Sequence, residues 1–219
     1  MLNSISRVLL LTLIVLFPLY LIFDIVRVKA MAQSSGGCGT AFFVNEQGTA
    51  STAAHVIGNA KRVFLMLNNG KTAYEGRIVA VDYNHDLAFI QFGTISSYLH
   101  IGSIKKGVVP VTIYGYPEGA RYGYSLKRSF GTGKFTVGLI RNTISYKAVI
   151  RPGNSGGPAI DNRGLVVGTV NVRMPYGAQG WGSTSQDIVS FAAKKGVKIF
   201  TSNVQQYVDR SAIVYICAI

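Results

Sequence analysis

From Gly39 onward the apolar positions fall into short runs rich in β-branched and aromatic side chains, separated by Gly, Asn, Asp and Pro. Residues 40–44, 63–67, 77–81, 87–92, 108–114, 135–140 and 165–172 each have the length and composition of a strand. Many short strands, with turn signals roughly every 8 to 12 residues, point to an all-β sandwich or a pair of barrels. Only one stretch carries helical periodicity. Ser185 is its expected N-cap, residues 187–195 its body with Ile188, Phe191 and Ala192 on one face, and Gly196 its stop. Residues 102–107 are the expected crossing between two halves of similar size.

The amino terminus has a different pattern. Residues 8–23 form an apolar run interrupted only by Thr12 and Pro18 and preceded by Arg7. Its length lies between a signal-peptide core and the roughly 20 residues that span hydrocarbon. Ala30-Met31-Ala32 supplies small residues for cleavage before Gln33, although Arg27 and Lys29 suit that site poorly. Residues 1–32 are therefore expected to be a signal peptide or a membrane anchor, and the chain to be exported, either secreted or anchored. Arg7 on one side, against Arg27 and Lys29 on the other, leaves orientation open.

Composition rules out a disordered chain, with 48% hydrophobic and 14% charged residues. The formal net charge is +13, and residues 33–219 alone hold 19 basic against 8 acidic side chains. Such a balance suits an anionic partner in general. The basic residues are spread in pairs such as Lys61-Arg62 and Lys194-Lys195, which read as solvated turns, and nucleic acid is not an expected partner. Two cysteines without C-x-x-C spacing argue against structural zinc.

Candidate chemistry concentrates in three motifs. In Gly153-Asn154-Ser155-Gly156-Gly157-Pro158, glycines around a serine allow a tight turn that presents the hydroxyl, and the amides of Gly153 and Ser155 can converge on one point. A serine hydroxyl is a weak nucleophile until a base takes its proton, which calls for a histidine and a carboxylate to orient it. Thr52-Ala53-Ala54-His55 and His85-Asp86-Leu87-Ala88 supply both. Alone, each motif reads equally well as a loop, a strand end or a turn; together and in order they reinforce one another. His85 is expected to be a loop residue rather than a second base.

On these motifs the chain resembles the chymotrypsin-like serine proteases, and within them the HtrA (Deg) type, over about residues 36–196. The resemblance implies two packed antiparallel β-barrels, at about 36–103 and 107–184, within a protease domain at 33–196, with a short C-terminal helix and 197–219 as a tail. It implies His55 as general base, Asp86 as its orienting acid, Ser155 as nucleophile and the amides of Gly153 and Ser155 as oxyanion donors. It further implies peptide-bond hydrolysis without metal or cofactor, protein or peptide substrates, and a substrate-binding wall from Val149, Ile150, Val170, Asn171, Val172 and Arg173.

Val149 stands where a Lys- or Arg-selective pocket needs a carboxylate, so cleavage after small to medium apolar residues is expected. Asn154, uncharged before the nucleophile, argues against activation by a freshly cut terminal amine. The 23 residues after Gly196 are too few for the PDZ domain such relatives carry. Cys38 and Cys217 either pair or stay buried as thiols. Two rival readings are a catalytically silent module of the same fold that binds anionic partners, and a membrane-anchored scaffold.

Overall fold

The structure is a computed structural model that describes residues 19, 22, 25–30, 32–95, 97–104, 107–119, 124–138, 142–173 and 179–219, with the side chains of Val172 and Arg173 excepted. The first half holds β1 (Cys38–Phe43), β2 (Thr49–Thr52), the one-turn helix α1 (Ala54–Ile57), β3 (Val63–Leu67), β4 (Thr72–Asp82) and β5 (Leu87–Gln91). The second holds β6 (Gly107–Gly115), β7 (Lys127–Thr136), β8 (Thr143–Lys147), β9 (Pro158–Asp161), β10 (Val166–Thr169), β11 (Val172–Arg173), β12 (Gln179–Gly182) and helix α2 (Ser185–Lys195). The chain then returns to the first half with β13 (Ile213–Ala218).

The all-β expectation holds, with two differences of detail. The first barrel closes in the order β1-β13-β3-β4-β5-β2, so the segment read as a tail supplies its sixth strand. Ile213, Ile216 and Ala218 are buried against Phe42, Phe89 and Ile90, and an exposed tail would leave that core open on one side. Facing positions Cys38 and Cys217 on β1 and β13 are joined by a disulfide across a separation of 179 residues, which resolves the two alternatives for these cysteines.

The second half is a seven-stranded sheet, β10-β9-β6-β7-β8-β12-β11, rather than a closed barrel. Its two edge strands are consecutive in the chain and separated only by Val170 and Asn171, so the sheet must curl until its edges meet. Ile113, Ile144, Tyr146 and Val167 fill its concave side.

The strand expected at 135–140 lies earlier, as β7, and 139–140 fall outside the described residues. Ser129 to Gly133 has turn composition, yet it pairs residue for residue with β6. A Cβ on Gly131 would stand 2.1 Å from the Lys147 carbonyl, so glycine there reflects close strand approach and not a turn. Helix α2 starts from Thr184 instead of Ser185. The Thr184 hydroxyl accepts from the Asp187 N–H while the Asp187 carboxylate accepts from the Thr184 N–H at 2.8 Å, a reciprocal cap that fixes the boundary. Gly196 ends the helix in the left-handed conformation, as expected.

Of the apolar run at 8–23, only Leu19 and Ile22 are described; residues 25–30 are helical. No helix of the described residues is long and apolar enough to cross a membrane.

Candidate active site

His55 lies on α1, immediately after β2 delivers the chain to the barrel rim, and Asp86 ends the turn that leads into β5. The His55 Nδ1 is 2.9 Å from Asp86 Oδ2 and 3.1 Å from Oδ1, and the His55 backbone N–H donates to Oδ1 at 2.9 Å. An ionised carboxylate only accepts, so Nδ1 carries the proton and Nε2 of the neutral ring has a free lone pair. The Asp86 side chain is 3% exposed and the imidazole 30%, which leaves the ring partly accessible to solvent. Burial disfavours the imidazolium, but the Asp86 charge and hydrogen bond outweigh it and the Arg27 charge, so the His55 pKa is raised above its ordinary value.

Asp86 is held from behind. Its φ is +53°, in the left-handed region that costs a non-glycine residue energy unless its surroundings hold it. Two side chains from the second half clamp this turn. Asn171 Nδ2 donates to the Asp86 carbonyl at 3.1 Å, and the Ser183 hydroxyl donates to the His85 carbonyl. Asn171 is itself oriented by Thr169, whose hydroxyl donates to its Oδ1 at 2.7 Å. The turn that carries the carboxylate of one half is thus held by hydrogen bonds from the other.

Ser155 comes from the turn before β9. Thr40 N–H donates to the Ser155 carbonyl at 2.8 Å, and Thr40 Oγ1 donates to the Gly153 carbonyl at 2.7 Å, so β1 carries this turn directly. Gly39 and Gly156 let the parts meet. A Cβ on Gly39 would lie 2.8 Å from both the Ser155 carbonyl and Val56, the residue after His55. Gly156, at φ +82°, would place a Cβ 2.2 Å from Thr52 Oγ1 and 2.8 Å from Ala53 N, just ahead of His55. The Pro152 carbonyl accepts from Glu118 N–H at 2.6 Å. Since the peptide is trans and planar, this aims the Gly153 N–H the opposite way. Among the described residues, neither the Gly153 nor the Ser155 amide donates to a protein acceptor.

His55 and Ser155 are neighbours but share no hydrogen bond: Ser155 Oγ donates to the Asn171 carbonyl at a long 3.5 Å. Contacts between a catalytic hydroxyl and its base often tighten only with substrate bound.

The expected substrate wall is divided. Ile150 and Val170 are buried in the second core. Asn171 borders a cavity with Asp86 and Trp181, whereas Val149 borders a different one with Arg151. The Val172 and Arg173 side chains lie outside the described residues. His85 is a loop residue, its Nδ1 2.8 Å from Asp82 and its Nε2 4.0 Å from Asp187. One participant had no sequence signal. Arg27, from the helical residues 25–30, donates to the Asn84 carbonyl at 2.9 Å and lines the cavity beside Asp86.

A family model described as "Trypsin-like peptidase domain" matches residues 39–168. The chain is 30% identical over 179 residues to "Probable periplasmic serine endoprotease DegP-like" of Chlamydia trachomatis serovar D, covering 76% of this chain and 34% of that protein. It is 30% identical over 159 residues to serine protease HTRA1 of Xenopus laevis, covering 64% and 32%. Among solved structures, it resembles the HtrA-type protease AlgW with a decapeptide at a TM-score of 0.62 and 20% identity, over 72% of this chain and 51% of that one. A serine endoprotease from Yersinia pestis gives a TM-score of 0.59 and 18% identity, over 78% and 65%. At these identities the structural likeness is one of fold. The chain spans about a third of the length of those two curated relatives. With the family model covering more than half the chain and a DegP-like relative matching three quarters of it, this protein belongs to the trypsin-like peptidase family.

Proposed function

We propose that the chain is a serine endopeptidase that hydrolyses peptide bonds through an acyl-enzyme. The observation that carries this reading is the His55–Asp86 pair, bonded at 2.9 Å, beside a Ser155 turn whose Gly153 and Ser155 amides are unspent. Ser155 Oγ attacks the carbonyl carbon while His55 Nε2 takes its proton. Asp86 holds the Nδ1 proton and stabilises the imidazolium. The Gly153 and Ser155 N–H groups receive the oxyanion, and each such donor is worth roughly 3 to 4 kcal/mol of barrier. The imidazolium then protonates the leaving amine, and a water activated by the regenerated base releases the acid. None of these steps calls for a metal or cofactor.

The substrate is a protein or peptide segment laid along residues 171–173. No carboxylate occurs in residues 170–173 along which the substrate lies, so an ammonium there would lack a counter-charge from this segment, and cutting after small to medium apolar residues is the supported preference. Export agrees with the apolar run at 8–23, the disulfide and the periplasmic relative. The test is mass spectrometry of a mixed peptide library incubated with the protein and with Ser155→Ala. New termini after apolar residues are expected with the first alone. Dominant cutting after Lys or Arg rejects the preference, and equal cutting by Ser155→Ala rejects the peptidase itself.

A further inference from the structure

A cavity of about 580 Å³ opens between the start of β7 and the 149–154 segment. It involves none of His55, Asp86 and Ser155 and shares no lining residue with the cavity beside Asp86. Lys127, Arg128 and Arg151 line it, and among the described residues no carboxylate does. Among the described residues none of the three forms an ion pair. Arg128 is braced, with its guanidinium 5.2 Å from the Phe130 ring centroid.

Asn154 adds a fourth donor. It is 6% exposed, its Oδ1 is buried without a donor against Gly115, and its Nδ2 makes no hydrogen bond among the described residues. With Oδ1 packed on Gly115, the N–H₂ edge is what the carboxamide has left to offer. Beside these donors stand two apolar side chains, Phe130 at 67% and Val149 at 53% exposed.

An inorganic anion would satisfy the donors and leave Phe130 and Val149 in water. An internal Glu has its carboxylate at the tip of its only side chain, with no apolar group beside it. A peptide α-carboxylate is different, because the last side chain branches from the atom that bears it. We propose that this cavity binds a peptide C-terminus ending in an apolar residue. The α-carboxylate is taken by Lys127, Arg128, Arg151 and the Asn154 amide, and the terminal side chain packs on Phe130 and Val149.

The test is fluorescence anisotropy on Ser155→Ala protein with fluorescein-Gly-Ser-Gly-Ala-Leu-Val, as the free acid and as the C-terminal amide. Because it reads binding alone, its outcome is independent of whether the chain is a peptidase. The acid is expected to bind saturably and at least about tenfold more tightly than the amide. Lys127→Glu/Arg128→Glu, at exposed positions, is expected to remove that binding. Lys194→Glu/Lys195→Glu, which changes the same charge on the exposed end of α2, is expected to leave it intact. Equal affinity for acid and amide, equal loss in both double variants, or binding that survives the β7 pair and so belongs to the cleft would each overturn the proposal. Should the β7 variant fail to fold, the comparison of acid with amide still decides.

Discussion

In the proposed mechanism His55 serves as a base only when neutral, and its surroundings set the pH at which that form is reached. The fold raises its pKa above 6.5, because Asp86 favours the imidazolium by more than burial and Arg27 disfavour it. The rate constant kcat/KM is therefore expected to rise with pH through a value above the ordinary imidazole range, measured from about pH 5 to pH 9. Folding has the opposite sign. The His55–Asp86 contribution to stability is full below the unfolded pKa and is lost as pH rises through the folded one. Arg27→Gln removes a repulsion from the imidazolium and should move the acid limb of the profile to higher pH; an unmoved or lowered limb contradicts the contact. Asp86→Asn should lose on the order of 10⁴ in kcat, through the wrong tautomer. Asn171→Ala leaves the Asp86 carbonyl and the Thr169 and Ser183 hydroxyls short of a partner, costing about 1 to 3 kcal/mol in urea unfolding, with kcat falling more than KM rises. His55, Asp86 and Ser155 could be singled out because each sits in a short motif with its own local reason. The Asn171 clamp was not, since the carbonyl it holds is 85 residues away. Arg27 lay in a segment whose composition speaks only of targeting.

At the scale of elements, α2 ties the second half of the chain to the first. Phe191 stacks on Phe89 of β5 with ring centroids 4.8 Å apart and planes 11° from parallel. Phe191→Ala should cost about 3 to 5 kcal/mol, read as a lowered midpoint in urea, and a loss within error would mean that the helix is not part of the first core. Thr184→Ala removes the cap together with a buried methyl, for about 1 to 2 kcal/mol. Helix α2 was readable to within one residue because its cap, apolar face and glycine stop agree. Strands that alternate or carry long apolar runs, such as β3 and β5, were readable too. β7 was displaced because glycine is ambiguous in sequence: Gly131 is required by the nearby Lys147 carbonyl, a contact that composition cannot express.

The whole molecule is closed by its last strand. β13 pairs with β1 over Cys38 to Phe42 and with β3 over Val63 to Met66, joining chain ends that no local pattern assigns to each other. That is why residues 197–219 read as a tail, and why the cysteine pairing became visible only with the register. In the loop-entropy picture, a link across 179 residues restricts the unfolded chain by up to about 5 kcal/mol. Cys38→Ser/Cys217→Ser, or added reductant, should lower the unfolding midpoint; an unchanged midpoint would mean that the strand pairing alone sets stability. Closure also fixes β1, whose Thr40 supports the Ser155 turn, so His55 and Asp86 of one half and Ser155 of the other depend on one assembled structure. The most direct measurement is covalent labelling of the folded protein with a fluorophosphonate, read by mass spectrometry of its peptides. One adduct on Ser155, absent from His55→Ala and from denatured protein, is the expected result. An unlabelled Ser155 in folded protein, or labelling that persists in His55→Ala, would contradict the assignment of this site as a serine peptidase centre.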